Sequence, residues 1–236
     1  MTVRGSLAFV GAFTAYWLVA LPLDSVSSAD QQLVLISGSA WLFLGTALAL
    51  QTSAVRVQVL VLVCVATAME IVGSIVWGAY RYRLDNLPLF VPAGHGLFYL
   101  AALRTASLPF LRRRARAIVI GVTTIATAYM ISGLFRPPLP DLLGLVTWAI
   151  FIRFVMRGRF PLLYSVSFVL TMALEFYGTS WGNWRWAPVL PGLLLPAGNP
   201  PTGVGAAYAA MDGLTRRIVE RTRRRAAEAV PSEAAA

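Results

Sequence analysis

Apolar residues run through this chain in blocks of about twenty, broken by short stretches rich in arginine, proline and glycine, the pattern of helices long enough to cross a bilayer. Read this way, the sequence predicts eight spans at 6–23, 32–51, 57–79, 87–105, 116–135, 139–156, 160–183 and 188–212. The fold class is all-α: a polytopic membrane protein of about eight transmembrane helices. Arg4, the apolar run after it and Ser27-Ser28-Ala29 also fit a signal peptide with its cleavage site. Against that, Thr14-Ala15-Tyr16 recurs as Thr127-Ala128-Tyr129 and Trp41 recurs as Trp148, so the first span has a counterpart and is read as retained.

The recurrence extends further. Glu70 and Gly73 match Glu175 and Gly178 at an offset of 105. After a one-residue slip, Trp77, Gly78, Arg81 and Pro92-Ala93-Gly94 match Trp181, Gly182, Arg185 and Pro196-Ala197-Gly198 at 104. Tyr80 and Tyr82 become Trp184 and Trp186, and His95 becomes Asn199. The expected organisation is a first four-helix repeat over 1–105, a second over 106–213 and a basic tail over 214–236. Four spans per half give both halves the same orientation, a parallel repeat about an axis along the membrane normal.

Composition agrees. The chain of 236 residues is 58% hydrophobic and 13% charged, with a mean hydropathy of +0.69, outside the range of soluble domains. All twenty basic residues are arginine. In the eight-span arrangement sixteen of them fall on one side, against Arg81, Arg83, Arg136 and Arg185 on the other, so the positive-inside rule places both termini in the cytoplasm of a multi-pass cell-membrane protein. The net charge of +10 therefore points to anionic inner-leaflet lipids rather than nucleic acid. One cysteine, Cys64, excludes an intrachain disulfide, and one histidine excludes sites built from several. No cofactor motif and no sequence-local metal-ligand pattern is present, and the oligomeric state is not legible.

Glu70 and Glu175 are the only acids deep within spans, where an ionisable group is costly and by default functional. Glu70 lies ten residues before Tyr80, ~15 Å along a helix, and His95 eight residues after Leu87, ~12 Å, so carboxylate and imidazole share a depth. The same reasoning puts Glu175 near Asn199. Pro92 and Pro196 are expected to interrupt the partner spans, and paired, interrupted spans in two halves mark a binding site. The predicted site is a cavity in the outer half of the membrane, lined by Glu70, His95, Glu175 and Asn199, with Trp77 and Trp181 beside it. Arg81 and Arg185 stand at its mouth next to Tyr80 and Trp184. The plainer alternatives stay open: a structural Glu70–His95 bond, and aromatic-belt anchors with snorkelling arginines instead of a headgroup clamp. Asp24, Asp30 and Asp85 read as solvated loop charges, and Asp141 and Asp212 as capping or interfacial groups.

The order Glu70-x-x-Gly73, Gly78-x-Tyr80-x-Tyr82, Pro88-Leu89-x-x-Pro92 resembles the membrane carotenoid hydratases that act on bacterioruberin precursors, over about thirty residues. Pro92-Ala93-Gly94-His95-Gly96 is more similar to actinobacterial polytopic membrane proteins, a source that the absence of lysine also fits. The Pro-x-Glu-Glu element of the heterodimer-type lycopene cyclases is lacking. What the resemblance implies is acid–base chemistry on an isoprenoid alkene. Glu70 would be the acid, Glu175 the base or water-orienting partner and His95 the group that sets Glu70's protonation, with tryptophan faces stabilising a carbocation. A proton-coupled transporter or lipid flippase, with the same carboxyls carrying protons, is the competing reading. A non-catalytic membrane assembly subunit is the third.

Overall fold

A computed structural model describes residues 2–228 and is nearly all-α. The helices are α1 (Val3–Val26), α2 (Ala29–Ala49), α3 (Ser53–Val76), α4 (Phe90–Ala106), a short α5 (Pro109–Arg113), α6 (Ala115–Leu134), α7 (Leu142–Arg157), α8 (Pro161–Ser180) and α9 (Ala207–Glu228). Of these, α1, α2, α3, α6 and α8 are long and apolar enough to cross a bilayer. Their starts follow ordinary capping rules. Thr2 accepts from the Gly5 N–H to open α1, and Ser28 with Gln31 forms a capping box at α2.

Helix α4 is the centre. Apart from His95 and its last turn it is apolar all round, as a helix enclosed by others must be, and α1, α2, α3 and α8 pack around it. Around Phe98, Leu97 and Tyr99 one core joins Trp17, Leu44 and Leu62. A second core, built on the Phe151–Phe168 contact at 4.3 Å, holds α7 and α8 together with the turn at Val204–Ala206.

Two expectations need correction. Pro92 does not break its span: α4 begins at Phe90, so Pro92 lies in the first turn, where its missing N–H has no intrahelical partner to lose. The stretch 188–212 is not a helical span. Five prolines (188, 191, 196, 200 and 201) remove the N–H groups a helix would need. The chain instead forms a small hairpin of β3 (Val189–Leu190) and β4 (Leu195–Pro196), turning through Gly192 and Leu194 at positive φ, and becomes regular only at α9. This irregular segment is held by Asp141, which is 1% exposed. Its Oδ1 accepts from Gly144 N at 2.8 Å, capping α7, and from Gly198 N at 2.9 Å, while Oδ2 accepts from Thr202 N at 2.6 Å. Asp141 thus caps α7, as expected, and also anchors the loop. Helix α9 then runs unbroken past 214; residues 229–236 of the expected tail lie outside the described residues.

Candidate functional site

The two copies of the sequence motif meet face to face. Strand β1 (Tyr80–Tyr82) follows α3 and strand β2 (Trp184–Trp186) follows α8. They pair antiparallel with Tyr80 opposite Trp186, Arg81 opposite Arg185 and Tyr82 opposite Trp184, so a local two-fold passes between the arginines. The approach to each strand is the same. Gly78 and Gly182 turn at φ +71° and +73°, and the N–H groups of Ala79 and Asn183 close back onto the carbonyls of Gly73 and Gly178. The one-residue slip between the copies also has a physical form: α3 ends in a π-helical turn over Ile71–Val76, which holds one more residue than an α turn, whereas α8 stays α-helical to Ser180.

Strand alternation sends Tyr80, Tyr82, Trp184 and Trp186 to one face, where each pair donates to the glutamate of its own copy. The hydroxyls of Tyr80 and Tyr82 both donate to Glu70 Oε2, each at 2.7 Å. The indole N–H groups of Trp184 and Trp186 both donate to Glu175 Oε2, at 2.9 and 3.0 Å. Tyr82 and Trp186 follow from period-two alternation beside Tyr80 and Trp184, a signal that reading the stretch as helix-flanking loop conceals.

Beyond this shared pattern the two carboxyls differ. Glu70 Oε1 faces His95 Nε2 at 2.9 Å, and His95 Nδ1 faces the Tyr208 hydroxyl at 2.6 Å, so a hydrogen-bonded chain links α3, α4 and α9. Both oxygens of Glu70 are committed. Glu175 Oε1 has no hydrogen-bond partner among the described residues and is open to the cavity that Glu175 lines. Asn199, the positional equivalent of His95, does not reach Glu175: its Oδ1 accepts from the Trp186 backbone N–H at 3.0 Å, because an irregular segment follows β2 where the helix α4 follows β1. Tyr208 carries no sequence signal, since the repeat places Arg104 opposite it.

Between the halves lies a cavity of about 680 Å³, within the range of small-molecule sites. Glu70, His95, Glu175, Tyr80, Tyr82, Tyr208, Trp184 and Trp186 line it; most of the remaining wall is apolar. Trp77 also lines it and donates its indole N–H to Pro191 O at 2.7 Å, bridging the halves. Trp181 does not line it; its ring meets Tyr177 instead. Arg81 and Arg185 are not at the cavity's mouth. Alternation turns both to the outer face of the sheet, exposed and side by side. Asp24 is likewise no solvated loop charge. It is 1% exposed and accepts from Gln32 Nε2 at 2.6 Å and Asn183 Nδ2 at 2.7 Å, tying α1 and α2 to the turn before β2.

Among the described residues no group of three or more His, Cys, Asp or Glu side chains is placed to hold a metal ion. The arrangement offers proton chemistry: one carboxyl with a free oxygen, one tied to an imidazole, and aromatic faces between them. In comparisons with known proteins the chain matches no family model, no curated protein and no solved structure.

Proposed function

We propose that the chain is a membrane enzyme that protonates a carbon–carbon double bond of an isoprenoid-type lipid, leading to hydration or cyclisation. The observation that supports this reading is the contrast between the two glutamates. A proton donor to carbon must present an oxygen that nothing else occupies, in a site shielded from water. Glu175 meets both conditions, because indole N–H groups only donate and so fix Oε2 as the acceptor oxygen, leaving Oε1 to carry the proton into the cavity. Glu70 is the worse donor, with three donor or proton-sharing partners already on its oxygens. These roles reverse the assignment expected from the sequence.

In the proposed reaction the π pair of the alkene takes the Glu175 proton to form one C–H bond, leaving a cation on the other carbon. The rings of Trp184, Trp186, Tyr80 and Tyr82 face that cation, and the Glu70–His95–Tyr208 chain supplies fixed compensating charge. A water oxygen adds to the cation and its surplus proton returns to the Glu175 carboxylate; in cyclisation a second double bond adds, and the proton lost from carbon returns there. Either way Glu175 ends as it began. In hydration the proton that recharges Glu175 comes from water, so turnover in deuterium oxide, with the non-polar lipid extract of the source cells as substrate, should place one carbon-bound deuterium in the hydrated product. A hydrated product with no C–D bond refutes protonation at carbon.

A proton-coupled transporter is the second reading, supported by two carboxyls meeting across a local two-fold; movement of cargo that stops with an uncoupler, without any change of mass, would favour it. In both readings the termini are cytoplasmic and the arginine-rich loops face anionic lipid. Reporter fusions at Arg113 (inside) and Asp85 (outside) test that orientation.

A further inference from the structure

The cavity wall is closed on most sides. Its linings from α1, α4 and α8, such as Trp17, Leu21, Phe98 and Thr171, are buried or half-buried. Among the described residues only six lining residues are exposed: Ala68, Met69 and Val72 on α3, Trp77 just after it, Ile150 on α7 and Leu214 on α9. Helices α3 and α7 both line the cavity yet share no packed interface; α9 packs against each of them. The opening is therefore a side window. Helix α3 forms one jamb and α7 the other, Leu214 is the sill, and the Trp77–Pro191 hydrogen bond is the lintel.

The six residues that frame this window are all apolar. Its named residues with large side chains are 38–54% exposed, on or between helices of which α3 is long and apolar enough to cross a bilayer. With α3 crossing the bilayer, as the functional reading above has it, the phase outside the window is hydrocarbon. A polar ligand arriving from either aqueous side would have to cross the β1–β2 roof or the packed α9 end; an apolar one crosses no barrier at the window.

We propose that the cavity is loaded sideways from the bilayer, through the window between α3 and α7, by a membrane-dissolved molecule with a linear apolar chain whose reactive end enters first. The chain's remainder stays in the lipid, so the ligand's length is not limited by the volume of the cavity. This deepens the functional reading above by naming the route and physical class of its substrate, but its test needs no turnover.

The full chain is reconstituted in phosphatidylcholine vesicles containing a phospholipid with a diazirine at the end of one acyl chain, illuminated, and its adducts mapped by peptide mass spectrometry. Adducts are expected on Met211 and Phe98, which are 4% and 2% exposed and line the cavity, as well as on Leu42, exposed on α2 away from the cavity. Ala68→Trp combined with Ile150→Trp should lower labelling of Met211 and Phe98 several-fold and leave Leu42 unchanged; Val72→Trp serves if the double variant does not fold. Labelling of Leu42 alone in the unsubstituted protein overturns the proposal, as does interior labelling that ignores the window substitutions. A failed deuterium experiment with interior labelling intact would refute the chemistry and leave the window standing.

Discussion

Replacing Gly178 by alanine tests whether the glutamate–aromatic clamp is built as described. A Cβ at Gly178 would lie 2.0 Å from Trp184 Cη2 and 2.4 Å from Cζ2, whereas one at the matching Gly73 would lie 3.1 Å from Tyr80 Cε1. Carbon atoms rest at ~3.5–4.0 Å, so the Trp184 ring must retreat by about 1.5 Å in the first case and by a few tenths of an ångström in the second. A shift of that size breaks the 2.9 Å bond from Trp184 Nε1 to Glu175. Overpacking costs ~1–3 kcal/mol and loss of a hydrogen bond to the neutral carboxyl ~0.5–1.5 kcal/mol, while the helix gains ~1 kcal/mol from glycine to alanine. Gly178→Ala should thus lose about 1–3 kcal/mol, and Gly73→Ala should stay within about 1 kcal/mol of the parent. Thermal unfolding in detergent, read by intrinsic fluorescence, measures both, and Gly178→Ala should also shift tryptophan emission to the red. Equal stability of the two variants, or Gly73→Ala as the weaker, would refute the close packing of Trp184 on α8.

Asp141→Asn keeps the side-chain shape but puts an NH2 where backbone N–H groups now donate, so at least one buried donor is orphaned, at about 1–3 kcal/mol each; unfolding should shift accordingly, and proteolysis should begin in the 188–206 segment. Tyr208→Phe removes only the hydroxyl on His95 Nδ1. It should change stability by about 1 kcal/mol or less while reducing turnover, and an unchanged rate would remove Tyr208 from the proton chain. Asp24→Ala uncouples Gln32 and Asn183 and is expected to lower the unfolding temperature without changing product identity, checked by thermal unfolding and mass spectrometry of extracts.

The parts of this structure legible in the sequence are those fixed by local periodicity. Depth counting along two helices brought Glu70 to His95, and the internal repeat singled out both glutamates and the aromatic residues after them, but ten residues counted as ~15 Å of helix hid that Tyr80 and Tyr82 fold back onto Glu70. What else the sequence hid depends on partners far along the chain. Asp24 reads as a loop charge until Asn183, 159 residues later, is seen donating to it. The segment 188–206 has the apolar content of a span, yet its backbone is satisfied by a short hairpin, local turns and Asp141 instead of by helical bonds. Arg81 and Arg185 were expected at the cavity, but a strand of three residues turns neighbours to opposite faces. Helical spacing gives no warning of that.

The most direct test of the account is the comparison of Glu175→Gln with Glu70→Gln, expressed at matched protein level in cells that supply the isoprenoid precursor. Glutamine retains the size of each side chain and a carbonyl that can accept the indole or phenol hydrogen bonds, but it carries no transferable proton. Mass spectra of organic extracts should show that Glu175→Gln abolishes the product, whether one water heavier than its precursor or isobaric with it, while Glu70→Gln slows its formation and leaves some. Full product formation by Glu175→Gln, with loss in Glu70→Gln alone, would contradict the assignment of the proton donor.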